Sequence, residues 1–434
     1  MATPIPYPNK SRESRTKIQG LKLLRFLLLL SIPTLILSSS LINPVFQQSS
    51  YAQTLETKVS PRVKEMANRN NIFALNFYQT LQGTEGNLFF SPYSISTAFA
   101  MTYAGARGQT EQQIAQVFGF SPGEEFHVAF SDLERQLKAG QQSDDVLLLS
   151  ANSLYPQIKY PFLESFLALL DKYYQVKITA VDYEKDPQAA RNTINQWVAE
   201  QTRNKINELI PPNALNNLTR LVLVNAVYFK GNWAIPFDKN LTKTEPFWVT
   251  PSRRIQVPMM QQKKRVGYTE TEEVQVLELP YVGNNLSLII LLPRKINGLT
   301  ELEKKLTVEN LSNWIESVDQ QNVEVSLPRF QVNFQSELSN TLAQMGVTDA
   351  FNQDNANFSG MDGQENWLSI KKVFHQAFID VNEEGSEATA ATGVSMGVRS
   401  RPPSFEANHP FIFLIRENHT GNIMFLGRLV NPEI

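Results

Sequence analysis

The 434-residue chain contains no cysteine, and this absence removes several kinds of chemistry at once. Disulfide bonds, thiolate nucleophiles, cysteine-ligated metals and lipidated cysteine anchors are all excluded. Histidine is nearly as scarce, and no histidine stands at metal-ligand spacing from another histidine or from a pair of carboxylates. The four histidines are His127, His375, His409 and His419.

Strong net charge and glycine-rich phosphate-binding loops are also missing. The formal net charge is −2, which gives no electrostatic reason to expect nucleic-acid binding. The carboxylates are scattered, and pairs such as Glu272-Glu273 resemble solvated surface more than a general acid with its base. The sequence therefore argues against an enzyme, and we expect no metal, no cofactor and no nucleic-acid partner.

The N-terminus has the arrangement of an export signal. Basic residues precede an uncharged run, residues 26–55, whose apolar centre Phe26–Leu37 is too short to span a bilayer comfortably. Ser50 and Ala52 supply the small side chains that precede a signal cleavage site. We expect residues 1–52 to be an export signal cleaved after Ala52, with retention as an uncleaved membrane anchor as the alternative. Removing its six bases and one acid would change the net charge from −2 to −7 and leave an extracellular or periplasmic protein.

Residues 53–434 are predicted to form a single α+β domain, because no linker, low-complexity run or repeat divides them. Helical patterns come early and strand patterns late, and several strands are apolar on both faces, as in a covered sheet. Helices are predicted at residues 62–81, 94–104, 161–174 and 187–207. Strands are predicted at residues 146–150, 218–229, 274–279, 286–292, 323–327, 373–381, 410–415 and 422–430.

The most unusual segment is Glu383–Ser400, with the sequence EEGSEATAATGVSMGVRS. Residues 385–398 contain no aromatic side chain and only one charge, that of Glu387. As a loop, such a segment has little to anchor it and would be open to proteases. Its small residues would also let it pair as a strand within a sheet. A segment suited to both states is a candidate conformational switch, and it directly follows the predicted strand at residues 373–381.

Gly393–Gly397 matches the G-x-S-x-G pattern of a hydrolase nucleophile elbow. That turn needs a strand before the serine and a helix after it. Here the following residues are Arg-Ser-Arg-Pro-Pro, which predict no helix. We therefore interpret these glycines and this serine as suited to flexibility and not to catalysis.

Seven short motifs occur along the chain in the order and at nearly the spacing found in one family. They are Asn87–Ile95 (NLFFSPYSI), Asn225–Trp233 (NAVYFKGNW), Leu327–Phe330 (LPRF), Phe358–Met361 (FSGM), Val381–Ala388 (VNEEGSEA), Asn408–Phe411 (NHPF) and Phe425–Arg428 (FLGR). By these motifs the chain resembles the serpins, a family of serine protease inhibitors, from about residue 58 to the C-terminus. The resemblance implies an α+β serpin fold with three β-sheets, eight or nine helices and an exposed reactive loop at about residues 383–405.

The resemblance also implies a suicide-substrate mechanism. A serine protease attacks the loop and forms an acyl-enzyme, and the cut loop then inserts into the central sheet and deforms the protease before water releases it. Insertion must not bury an unpaired charge, which is strongly unfavourable. The resemblance implies that the hinge begins at Glu383 and Gly385, and that Glu387, the only charged residue in residues 385–398, points outward. In the family's register the inward residues are Ser386, Ala388, Ala390 and Thr392, and the outward residues are Glu387, Thr389, Ala391 and Gly393.

The same register places the scissile bond between Arg399 and Ser400. An arginine fits a protease pocket with a carboxylate at its base, so we expect a covalent complex with trypsin-like serine proteases. Val398 and Arg401 remain alternative bait residues, although Pro402 disfavours cleavage after Arg401. The helix expected at residues 124–138 contains four acids and two bases, so we expect no heparin site there. We also expect a monomer.

Residues far from the loop receive mechanical roles from the resemblance. Trp233 matches the "breach" tryptophan at the top of the sheet, where insertion begins. The polar "shutter" beneath the opening point is matched by Ser91, Ser94, Asn225 and His375, with Asn225 as the expected hydrogen-bond partner of His375. The alternative function is a non-inhibitory, binding or chaperone-like serpin, which would be cut at the loop and would release active protease.

Overall fold

The computed structural model describes residues 59–139, 145–176, 178–384 and 402–433. These residues contain ten α-helices, three of which have seven residues or fewer, so the count slightly exceeds the expected eight or nine. The helices are α1 (Pro61–Leu81), α2 (Pro92–Tyr103), α3 (Gly108–Phe118), α4 (Glu124–Ala139), α5 (Glu164–Tyr174), α6 (Pro187–Gln201), α7 (Leu299–Lys304), α8 (Val308–Glu316), α9 (Ser339–Met345) and α10 (Ser359–Asp362).

Thirteen strands of the described chain complete the α+β architecture that the sequence predicts. Most of them follow residue 220, as expected from the late clustering of strand patterns. The strands are β1 (Leu88–Phe90), β2 (Val146–Pro156), β3 (Leu221–Gly231), β4 (Lys243–Thr250), β5 (Arg253–Glu270), β6 (Val274–Pro280), β7 (Leu286–Pro293), β8 (Asp319–Pro328), β9 (Phe330–Glu337), β10 (Lys372–Val381), β11 (Ser404–Glu406), β12 (Phe411–Glu417) and β13 (Ile423–Leu429).

Polar caps fix where the longer helices begin. Ser91 precedes α2, and its Oγ accepts a hydrogen bond of 3.1 Å from the backbone N–H of Ser94. Asp186 caps α6 in the same way, accepting from the N–H of Ala189 at 2.9 Å. A proline follows each cap at the first helical position, where its missing N–H leaves no bond unmade. The Ser-Pro signal before the second helix was therefore a sound predictor.

Two predicted helices have wrong limits. The expected α6 runs six residues too far, because the backbone of Arg203 has φ 49°, in the left-handed region that ends a helix. The expected α5 begins three residues too early, and it starts at Glu164 instead. The N–H of Leu163 bonds to the carbonyl of Met361 at 2.7 Å, so this part of the chain is held against α10 before the helix begins.

Hydrogen bonds within the described residues join the strands into two sheets. A four-stranded sheet has the order β2-β3-β10-β9, and a nine-stranded sheet has the order β1-β13-β12-β7-β6-β5-β8-β11 with β4 paired to β5. The resemblance implied three sheets. Two of these three sheets are joined into one here, because the 18-residue strand β5 belongs to both. β5 pairs with β4 and β8 along most of its length and with β6 at residues 267–270.

Strand β3 lies at the centre of the four-stranded sheet and is covered on both sides. Leu223 and Val227 face the large core between the two sheets, where Phe229 packs against Phe425. Val222 and Val224 face a second, smaller core formed with α6. The continuous apolar run of β3 therefore reflects burial on both faces, as the sequence predicts.

Strands β1, β4, β5, β9 and β11 were not predicted. In β9 the signal was present, because buried Phe330 and Val332 alternate with exposed polar residues. β5 is rich in lysine and arginine, and its buried positions follow no regular period. The expected strand start at Leu218 is also wrong, since this side chain is 69% exposed and its N–H bonds to Asn216 Oδ1 in a local turn.

Candidate functional site

The centre of the four-stranded sheet is a pair of parallel strands, β3 and β10. Their ladder runs from Lys372 opposite Val222 to Ile379 opposite Phe229. β10 ends at Val381, and the candidate conformational switch, Glu383–Ser400, begins two residues later. The next strand along the chain, β11, pairs with β8 in the other sheet. The connection after β10 therefore leads from one sheet to the other.

Contacts with three residues hold Glu383 at the end of β10. Its carboxylate is 4% exposed, accepts a hydrogen bond of 2.7 Å from Thr242 Oγ1, and lies 3.5 Å from Nε of Arg329. Its carbonyl accepts a hydrogen bond of 3.0 Å from the N–H of Phe237. Burying a polar group without such partners would be unfavourable. These contacts fix the position at which the chain leaves the sheet.

Glu384 is the last described residue before the gap, and it pairs with Lys239 at the surface. The hydrogen bond from Lys239 holds the pKa of this carboxyl below its ordinary value. The sequence places Glu383 and Glu384 side by side, yet the structure gives them different surroundings, one buried and one partly exposed. The interpretation of adjacent carboxylates as solvated surface is therefore wrong for Glu383, which is buried against Thr242, Arg329 and Phe237.

Trp233 lies directly beneath this exit point. Its indole Nε1 donates a hydrogen bond of 2.8 Å to the carbonyl of Asn382, and its ring stacks on Tyr281 with centroids 4.7 Å apart. The hydrogen bond therefore links the end of β3 to the end of β10, and the aromatic stack links the tryptophan to the end of β6. The assignment of Trp233 as the breach residue stays a prediction.

The predicted shutter residues form one buried hydrogen-bonded cluster between α2 and the four-stranded sheet. Asn225 Nδ2 donates to Ser94 Oγ at 2.6 Å, and Asn225 Oδ1 bonds to Nδ1 of His375, the contact expected from the sequence. Ser91 Oγ donates to the carbonyl of Met424 at 2.8 Å. The cluster therefore ties α2 to β3, β10 and β13 across the inner face of the sheet.

The hydrogen bonds also define the tautomer of His375. The backbone N–H of Ser91 donates to Nε2 at 3.3 Å, so Nε2 accepts and Nδ1 carries the proton that it shares with Asn225 Oδ1. Burial lowers the pKa of His375 to about 3. The imidazole is therefore neutral near pH 7, and a second proton would find Nε2 already occupied.

Asn152 belongs to this cluster, and the sequence analysis missed it. Its Oδ1 accepts hydrogen bonds from Asn225 Nδ2 at 2.7 Å and from Ser94 Oγ at 2.8 Å. In register, Asn152 lies opposite Asn225, which lies opposite His375, so three polar residues form one row across β2, β3 and β10. β2 also contains Ser150 and Ser153, so its sequence alone does not single out Asn152.

Several predicted positions lie outside the described residues. They are the hinge residues Gly385, Ser386, Glu387, Ala388, Ala390, Ala391 and Thr392, the reactive bond Arg399–Ser400, the alternative bait residues Val398 and Arg401, and the G-x-S-x-G match at Gly393–Gly397.

Other kinds of site find little support in the part of the chain that is described. No three His, Asp or Glu side chains there could hold a metal ion together. In the same residues, no helix combines the length and hydropathy needed to cross a bilayer. His419 bonds to its near neighbour Glu417, and His409 bonds to the carbonyl of Pro293, 116 residues earlier in the chain.

Comparison with known proteins agrees with this geometry. The sequence profile described as "Serpin (serine protease inhibitor)" matches residues 68–432, so the chain belongs to the serpin family of protease inhibitors, which are not enzymes. The chain is 42% identical to the human leukocyte elastase inhibitor over 382 residues, covering 85% of this chain and all of that protein. It is 37% identical to an uncharacterised serpin-like protein of Methanosarcina mazei over 425 residues, covering 94% and 98% of the two chains.

Solved structures show the same fold. Uncleaved ovalbumin superposes with a TM-score of 0.77 at 29% identity, covering 85% of this chain and all of that one. The mouse protein Z-dependent protease inhibitor gives a TM-score of 0.77 at 27% identity, covering 86% and 98%. The serpin fold expected from the sequence motifs is confirmed.

Proposed function

We propose that this serpin traps trypsin-like serine proteases through cleavage at Arg399–Ser400 and insertion of the cut segment between β3 and β10. The observation that carries the proposal is the parallel pairing of β3 and β10, with the candidate switch following β10 directly. A chain that leaves β10 and folds back must run antiparallel to it. Because β3 is parallel to β10, the same segment is antiparallel to β3 as well.

This topology gives insertion a favourable direction. One parallel ladder is replaced by two antiparallel ladders, and antiparallel pairing is slightly more stable per residue. The composition of the segment supports the same outcome, since Ser386, Ala388, Ala390 and Thr392 would bring small side chains and no charge to the inner face. The free energy released on insertion would drive the distortion of the attached protease.

The bait residue decides which protease is trapped. Arg399 suits a pocket with a carboxylate at its base, which is the pocket of trypsin-like enzymes. A second candidate comes from the similarity to leukocyte elastase inhibitors. Elastases have a small pocket, and Val398, one residue earlier, would fit it. Cleavage after Val398 would make the chain an inhibitor of elastase-type proteases.

Incubation with trypsin and separately with an elastase, followed by a denaturing gel and mass analysis of the released peptide, tests both candidates. We expect a covalent band with trypsin and a peptide that begins at Ser400. Arg399→Ala should abolish the trypsin complex, and Arg401→Ala, the matched control, should retain it. A complex with elastase and a peptide beginning at Arg399 would favour the second candidate. Cleavage with full recovery of protease activity would identify a non-inhibitory serpin.

The proposal includes export of a monomeric inhibitor, residues 53–434, directed by residues 1–52. N-terminal sequencing of the protein recovered outside the cytoplasm should begin at Gln53, whereas a membrane-bound protein retaining Phe26–Leu37 would indicate an anchor. We also propose that activity is independent of heparin. On α4, Arg135 pairs with Asp132 at 2.8 Å and Lys138 pairs with Glu134 at 2.7 Å, so both basic side chains already have acidic partners.

A further inference from the structure

A pocket of about 530 Å³ opens between the end of α2, the start of α3, the start of α4 and one face of α5. This volume is in the range of small-molecule sites. Its lining includes no residue of β3, β9 or β10, so the pocket is separate from the proposed inhibitory machinery. The lining residues that matter here are Tyr103, Arg107, Glu111, His127, Leu169 and Lys172.

Two polar side chains in this lining are more than nine-tenths buried and lack a complete set of partners. Tyr103 is 4% exposed and His127 is 5% exposed. Nδ1 of His127 bonds to the hydroxyl of Tyr174 at 2.6 Å. Among the described residues, however, neither Nε2 of His127 nor the hydroxyl of Tyr103 has a hydrogen-bond partner. Neither atom is among the fully buried, unpartnered polar atoms of the described residues, so both are accessible from the pocket, where they can donate to oxygen atoms of a ligand.

Both groups are suited to donate hydrogen bonds. Burial raises the pKa of Tyr103 to about 12, and burial lowers the pKa of His127 to about 4, so both are neutral near pH 7. When the Tyr174 hydroxyl donates to Nδ1, the ring proton of His127 is on Nε2. The floor of the pocket then presents one O–H and one N–H donor.

Charges of both signs flank these donors. Lys172 is already paired with Glu124 at 2.9 Å, and Glu124 also accepts from Tyr173. Arg107 donates only to backbone carbonyls, and neither Arg107 nor Glu111 has an ion-pair partner within the described residues. The N–H of Glu111 bonds to the carbonyl of Arg107 at 3.4 Å, so the two residues line the pocket one turn apart at the start of α3. Both charges also act on the hydroxyl of Tyr103, Glu111 raising its pKa and Arg107 lowering it.

We infer that this pocket binds an α-amino acid with an apolar side chain. The carboxylate would accept from Tyr103, His127 and Arg107, and the ammonium would pair with Glu111. The apolar side chain would lie against Leu169 and the neighbouring α5 surface. A zwitterion can pair with both Arg107 and Glu111. A ligand with only a carboxylate would face the like charge of Glu111, and a ligand with only an ammonium group would face the like charge of Arg107.

Calorimetric titration of the purified protein with three probes tests the assignment. The probes are L-phenylalanine, 3-phenylpropionate, which lacks the ammonium group, and phenethylammonium, which lacks the carboxylate. We expect phenylalanine to bind with a Kd below about 1 mM and both analogues to bind about tenfold more weakly, since a hydrogen bond to a charged group contributes about a factor of ten or more. Absence of phenylalanine binding, or equal binding of all three, would overturn the inference.

Two variants separate the roles of the charges. Glu111→Gln should weaken phenylalanine binding about tenfold and should not weaken 3-phenylpropionate binding, whereas Arg107→Gln should weaken both. Arg135→Gln, on the exposed part of α4 outside the lining, is the control and should change neither. Because Arg107 also bonds to the carbonyls of Ala104 and Ala106, its variant could misfold, and the Glu111 variant then remains decisive. If Glu111→Gln weakened both probes equally, the ammonium contact would be refuted.

Discussion

Replacing Glu303 by glutamine should destabilise the fold far more than replacing its neighbour Glu301. Glu303 on α7 lies 2.8 Å from Arg428 on β13, and the two side chains are 4% and 6% exposed. The hydroxyl of Tyr78 donates to the same carboxylate at 2.8 Å, and Gln82 donates at 3.2 Å. The carboxylate therefore neutralises a buried guanidinium and joins the last strand to the first helix.

The magnitude follows from the burial. Removing one member of a buried ion pair leaves the other charge without compensation, which costs about 3–5 kcal/mol. A domain of this length unfolds with an entropy of roughly 0.8 kcal/mol/K, so the loss should lower the melting temperature by about 4–6 °C. Circular dichroism during thermal unfolding at a fixed scan rate would measure the change.

Glu301→Gln is the matched control. Glu301 is on the same helix and lies 2.8 Å from Lys304, but both side chains are more than half exposed. Water and salt screen such pairs, so the melting temperature of this variant should stay at the wild-type value. Equal shifts for the two variants, or no shift for Glu303→Gln, would refute the argument that burial, and not distance, decides what an ion pair contributes.

Three further predictions concern the candidate site. Because burial lowers the pKa of His375 to about 3, only the unfolded chain takes up this proton as the pH falls below about 6.5, and stability should fall by up to about 1.4 kcal/mol per pH unit. Denaturant unfolding of His375→Gln should show a shallower pH slope. Ala388→Arg should turn the inhibitor into a substrate on a trypsin gel, whereas Thr389→Arg, with the opposite parity, should still trap. Trp233→Phe should lose the hydrogen bond to the Asn382 carbonyl and about 1 kcal/mol in denaturant unfolding.

Each of these has a contrary result. A pH slope that is unchanged in His375→Gln would mean that other groups cause the acid sensitivity. Equal complex yields for the Ala388 and Thr389 variants would show that side-chain parity does not govern insertion. A Trp233→Phe protein as stable as wild type would indicate that stacking on Tyr281 alone holds this corner.

The sequence predicted those parts of the fold in which local pattern and tertiary position agree. β3 and β7 are apolar runs because they are covered on both faces, and the capped starts of α2 and α6 follow from local hydrogen bonds. The end of α6 and the start of α5 were wrong because contacts distant in sequence, such as Leu163 to Met361, decide them. No periodicity in one segment carries that information.

The candidate site divides in the same way. The contact between His375 and Asn225 was expected because both residues belong to recognisable motifs. Asn152 lies in a strand without such a motif, and only the register of three strands brings it to the cluster. The sequence also could not predict that Thr242 and Arg329 contact Glu383. Thr242 directly precedes β4 and Arg329 lies between β8 and β9, so only the folded structure brings them together.

The row formed by Asn152, Asn225 and His375 restricts what can occupy the seam between β3 and β10. A third strand placed there moves His375 two strand spacings from Asn225, about 9–10 Å, and ends their direct contact. The Nδ1–H of His375 and the Oδ1 of Asn225 would then face the inserted strand in the protein interior. Each buried polar group left without a hydrogen bond costs about 1–3 kcal/mol. The arriving chain must therefore offer a matching donor or acceptor halfway along its length. Small size alone does not qualify a sequence for that position.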